Sequence, residues 1–149
     1  MNINKIYKEI FNNMIKPSLK VNQKQISIDD ESVFISPNGC YGFLLSKKNA
    51  PFNLERIPKS DVKLDLFKIC KPENRFKMTR RLIAEKSGEL VNILKNDDRE
   101  ICVRQKYLKY FDDCAEFYQE KDKCLVVVAE MGCVVGGIMP MVIRDGDIE

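Results

Sequence analysis

The sequence predicts an α+β fold: a single domain of two helices packed on curved antiparallel sheets, with a helix-plus-strands unit occurring twice. Three observations lead there. Apolar residues recur every three or four positions over residues 3–15 and again over 105–119, the period of an amphipathic helix. Elsewhere the apolar period is two, and turn-forming residues separate the runs, as in short antiparallel strands. The 149 residues, 44% hydrophobic and 32% charged, suit one domain with a real core.

The first helix is read from Ile3, Ile6, Tyr7, Ile10, Phe11, Met14 and Ile15, with Lys5, Lys8, Glu9, Asn12, Asn13 and Lys16 on its other face. Asn2 or Asn4 can cap its start, and Pro17 stops it, because proline lacks the N–H a helix interior needs. From residue 19 to 45 the period becomes two, through Ile26 and Ile28, then Val33 and Ile35, then 40–45. Asp29-Asp30-Glu31 and Ser36-Pro37-Asn38-Gly39 separate these three strands; asparagine and glycine tolerate the positive φ of a tight turn.

Residues 47–74 hold Pro51, Pro58 and Pro72, which argues against a long regular element there. Val62, Leu64, Leu66 and Ile69 fit a short strand or a helical turn, the strand preferred, within a connector or lid. Three more strands follow at 76–84, 89–95 and 99–103, separated by Ser87-Gly88 and Asn96-Asp97-Asp98. The second helix spans 105–119, burying Tyr107, Leu108, Phe111, Cys114, Ala115 and Tyr118 and exposing Lys106, Lys109, Asp112, Asp113 and Glu116. Its cations come first, the reverse of what the helix dipole favours. An apolar hairpin at 123–130 and 133–139 turns on Met131-Gly132. Within it Gly136-Gly137 predicts a bulge or close backbone approach, and Pro140 ends the ladder. The organisation is a first helix–strand unit at 1–46, a connector at 47–75, a second unit at 76–143 and a polar tail at 144–149.

The chain contains no histidine, which removes the commonest general base and most catalytic zinc sites. P-loop and dinucleotide-binding patterns are absent, and the six cysteines have no CxxC spacing. The acids at 29–31, 97–98, 112–113, 145 and 147 fall in turns, a helix surface and the tail. A non-enzyme is expected, with no metal and no cofactor. Scattered cysteines and a polar start, Met1-Asn2-Ile3-Asn4-Lys5, predict a reduced, cytoplasmic protein. No apolar run approaches the ~20 residues of a membrane span. A net charge of +3 permits nucleic-acid binding without demanding it. Richness in Asn, Lys and Ile fits an AT-rich genome, phage or mobile element included.

Residues 101–111, Ile-Cys-Val-Arg-Gln-Lys-Tyr-Leu-Lys-Tyr-Phe, and the close Met139-Pro140-Met141-Val142-Ile143 resemble the last domain of the bacterial replicative sliding clamp, the beta subunit of DNA polymerase III. There a strand runs into a Tyr-Leu helix, two strands follow and the chain closes on Met-Pro-Met. The resemblance covers about residues 76–143. Val142 stands where that family has arginine, and this chain has the length of one clamp domain where a clamp subunit has three. The resemblance implies a clamp-like domain that holds double-stranded DNA without reading bases, through Lys5, Lys8, Lys106 and Lys109. It further implies a peptide-binding wall at Pro140 and Met141 for replication proteins, and assembly as a homo-oligomer. The alternative expectation is a small interaction or inhibitor module that binds a host protein and has no DNA affinity.

Overall fold

The computed structural model describes residues 1–15 and 22–142. The predicted stop at Pro17, Lys16 and the tail from 143 lie outside the described residues. One helix of three turns, α1 (Ile3–Ile15), precedes a meander of β1 (Lys24–Ser27), β2 (Ser32–Ser36) and β3 (Tyr41–Ser46). A second run holds β4 (Arg75–Ala84), β5 (Leu90–Lys95), β6 (Glu100–Arg104) and the one-turn helix α2 (Gln105–Leu108). Then come β7 (Glu116–Tyr118), β8 (Val126–Glu130) and β9 (Cys133–Ile138). The fold is mixed α+β and mostly sheet.

All nine strands join one sheet, in the order β1-β2-β3-β9-β8-β7-β4-β5-β6, and every ladder is antiparallel. The six strands β1-β2-β3-β9-β8-β7 mirror each other about the β3–β9 pair, with β4-β5-β6 extending one side: α1-β1-β2-β3 and α2-β7-β8-β9 are each a helix followed by a three-stranded meander. The local chemistry of the turns matches expectation. Asp29 accepts the N–H groups of Glu31 and Ser32, Ser36 accepts that of Gly39, and Asn96 accepts those of Asp98 and Arg99. Gly39, Gly88, Met131 and Gly132 take positive φ, each at a predicted turn.

The sheet is strongly curled. Val33, Phe43, Ile138, Val126, Phe117, Phe76, Leu94 and Val103, one from each strand from β2 to β6, meet in a single buried cluster. Flat strands ~4.8 Å apart would spread those residues over some 30 Å. Ile6 and Ile10 of α1, both fully buried, plug the concave side; each contributes roughly 1.5–3 kcal/mol by leaving water. After β9 the chain crosses from β3 to β6. Met139 N–H donates to the Cys40 carbonyl at 2.7 Å and Met141 N–H to the Cys102 carbonyl at 2.9 Å. Pro140, with no N–H to place, occupies the crossing. That bridge closes β9, β8, β7, β4, β5 and β6 into a ring.

Two elements differ from expectation. The predicted helix at 105–119 stops at Leu108 and the chain becomes a strand at Glu116. Asp112 N–H goes to the Glu130 carboxylate at 2.7 Å instead of to a helical carbonyl, and Phe117 enters the core from a strand that joins β8 to β4. Of the predicted buried stripe, Tyr107 and Phe111 are buried, whereas Cys114 is exposed. Of the strand or helical turn expected around 62–69, the preferred strand does not form, and the stretch holds a short 3-10 turn, Phe67–Ile69. It lies as a strap over the convex face, where Leu64, Leu66 and Ile69 cover Ile26, Phe34 and Val127. On α1, Phe11 and Ile15 are exposed although the period places them on the apolar stripe.

Candidate functional site

The outward face of α1 meets the segment after α2 across a shallow groove of about 300 Å³ lined by Lys5, Lys8, Glu9, Asn12, Lys109 and Tyr110. Two contacts hold its walls together. Asn2 caps α1 by accepting the Lys5 N–H at 3.2 Å, as its sequence position predicts, and donates its own N–H to the Tyr110 carbonyl at 2.7 Å. Beneath the groove, Tyr41 stacks against Tyr107 and Tyr110, with ring centroids 4.4 and 5.4 Å apart. Its hydroxyl donates to Glu9 at 3.1 Å. Burial, then the neighbouring Tyr110 and Glu9, push the Tyr41 phenol far above its ordinary value, so it stays a donor and occupies Glu9, the one carboxylate lining the groove among the described residues. Lys109 lies 5.0 Å from the Tyr110 ring centroid, a cation–π contact. Among the described residues, none of Lys5, Lys8 and Lys109 has a carboxylate within 4.0 Å.

Lys106 does not join them. It pairs with Glu89 at 2.8 Å, and Glu89 also meets Arg104 at 3.0 Å. The hydrogen bond from Lys106 is the main reason the Glu89 carboxyl is held below its usual range, and the same bond raises Lys106. Of the four lysines singled out in the sequence, the structure brings three together and commits the fourth to an ion pair. A partner carboxylate 17 residues away in sequence left no readable signal. Next to the groove, the Met1 ammonium contacts Glu130 and lies 2.9 Å from Asp112. Burial opposes its charge, but the two carboxylates prevail and hold its value up.

Pro140 and Met141 are half-buried and serve the β3-to-β6 crossing. An apolar groove of about 450 Å³ does lie nearby on the convex face, walled by Ile26, Phe34, Val62, Leu64, Leu125 and Met139. Its wall from the closing segment is thus Met139, one residue before the predicted pair. The strap creates this groove, and the strap's path was the part of the chain least readable from sequence.

Among the described residues no group of three or more Cys, Asp or Glu side chains could hold a metal ion, and no helix is long and apolar enough to cross a membrane. All six cysteines are free thiols, and burial raises Cys70 and Cys102. Compared with known proteins, the chain matches no family model, no curated protein and no solved structure.

Proposed function

We propose that the protein is a non-catalytic binding module with a sliding-clamp-like organisation, which holds duplex DNA by its phosphates along α1 and engages replication proteins at its convex face. The observation that carries the reading is the convergence of Lys5, Lys8 and Lys109 on one groove, with no carboxylate among the described residues within ion-pair distance of them. Cations from α1 and from the segment after α2, facing one groove, suit sequence-independent phosphate contact. The clamp-like part of the reading rests on the sequence resemblance over residues 76–143.

The decisive experiment is duplex binding by fluorescence anisotropy at about 50 mM salt, with charge reversal at Lys5, Lys8 and Lys109. Binding by the wild type that the variant loses is the expected result, and no binding by the wild type sinks the DNA reading. In this reading copies of the chain assemble into a homo-oligomer. Light scattering should then give the mass of several chains, whereas a single-chain mass would reduce the proposal to a monomeric module.

The second reading, a protein-interaction or inhibitor module without DNA affinity, is favoured by the apolar groove at Met139. Val62 and Met139 are 56% and 39% exposed on its rim, and such a concavity suits an apolar anchor from a partner peptide. In that case Met139→Asp abolishes partner capture and the lysine variants leave it intact.

A further inference from the structure

On the convex face, away from α1, β4 and β5 carry an arrangement that the proposed function does not use. Lys77 and Lys95 are direct cross-strand partners. Strand alternation places them, with Arg75, opposite the buried Phe76 and Leu94. Like charges directly opposite each other in a ladder are destabilising. Among the described residues neither lysine makes an ion pair, and Arg75 has only a loose contact with Glu116 at 3.7 Å. The three cations line a cleft of about 450 Å³.

We propose that this cleft binds a compact phosphate dianion, as inorganic phosphate or as the terminal group of a phosphate monoester, held between Arg75, Lys77 and Lys95. Two lysines provide point charges and the arginine provides a planar fork, the usual complement of a phosphoryl group. The rest of the lining sets the size of the ligand. Thr79 forms a side wall, its hydroxyl already committed to the Ile93 carbonyl at 2.7 Å. Asn96 and Asp97 close one end. A carboxylate there repels a continuing polyanion but accepts hydrogen bonds from ligand hydroxyls. No aromatic side chain lines the cleft, so it lacks the stacking platform on which single-stranded nucleic acids rest. A small phosphorylated molecule fits these constraints better than a nucleic-acid backbone.

The test is thermal unfolding of the whole chain in sodium phosphate against sodium chloride at matched ionic strength. The wild type should be stabilised saturably by phosphate beyond the chloride effect. Lys77→Gln with Lys95→Gln should raise the melting temperature in chloride, by removing the repulsion, and weaken phosphate binding about tenfold or more. Lys77→Arg with Lys95→Arg should keep the phosphate response. Charge reversal at Lys5, Lys8 and Lys109 should also keep it, which separates this site from the DNA reading. Coincident phosphate and chloride curves, or a glutamine variant that responds like the wild type, would overturn the proposal. So would stabilisation by duplex DNA through Lys77 and Lys95 with free phosphate inert.

Discussion

A Cβ atom placed on Gly136 would lie 2.5 Å from the carbonyl oxygen of Gly42 on the neighbouring strand and 2.8 Å from the Phe111 ring. These two glycines sit at the seam where the two meanders meet, in the ladder that pairs Gly42 with Gly137 and Phe43 with Gly136. The seam admits nothing larger than hydrogen at residue 136, because the obstacle is backbone that cannot rotate away. Gly136→Ala is therefore expected to cost about 2–3 kcal/mol, read as a lower urea midpoint. Gly39→Ala is a useful contrast: its Cβ would meet nothing within 4 Å, so only the strain at φ +84 remains, about 1 kcal/mol.

The salt dependence of DNA binding should count the lysines. If Lys5, Lys8 and Lys109 each neutralise one phosphate, replacing all three by glutamine should flatten the slope of log K against log salt by about 2.7. Lys106→Gln should leave the slope unchanged, because its ammonium is already paired with Glu89. An equal change for Lys106 would place all four lysines on one DNA-facing surface, contrary to the structure.

Alkaline pH should destabilise the protein through Tyr41. Its phenol is held protonated by burial, so its contribution is complete below the ordinary tyrosine value of ~10 and is lost as the pH rises above it. Tyr41→Phe keeps both ring stacks and loses the bond to Glu9, at a cost of about 1 kcal/mol near neutral pH. Urea unfolding between pH 8 and 11 should show a steeper loss of stability for the wild type than for Tyr41→Phe.

Acid should act at Glu89. With its carboxyl held below the usual range, its stabilising effect is present above ~4.3 and fades as the pH falls through the lowered folded value. Glu89→Gln should cost less than ~1 kcal/mol at pH 7, since the side chain is over a third exposed. The difference from wild type should shrink below pH ~4 and then vanish. A gap that persists in acid would mean that Glu89 acts by packing and not by charge.

Where one residue determined local geometry, the sequence was readable. Asp29, Ser36, Gly39, Gly88 and Asn96 each mark a turn that forms, and eight of the nine strands lie where alternation and those turns put them. The ninth, β7, was hidden. Tyr107, Phe111, Ala115 and Tyr118 repeat at helical spacing, and only the Glu130 carboxylate and the gap between β4 and β8 force the chain out of a helix after Leu108. At 62–69, where a strand or a helical turn was open, the preference for a strand failed for the related reason that its apolar residues meet a sheet face and no neighbouring strand offers a ladder. Half of the candidate site was legible, because α1 displays Lys5 and Lys8 whatever the rest does. The company of Lys109 and the diversion of Lys106 depend on contacts across the fold.

The position of β9 between β3 and β8 has a consequence for how the protein is made. Translation delivers α1 and the first meander early, but the strand that covers the free edge of β3 leaves the ribosome only after all the others. For the intervening seconds of elongation, a nascent chain exposes an open, apolar edge at Tyr41–Ser46, the kind of edge that recruits foreign strands. Pairing between segments so distant in sequence is also slow. Chains stalled before Cys133 should therefore be sensitive to protease and bound by chaperones, and emergence of the next few residues should commit them to the native sheet.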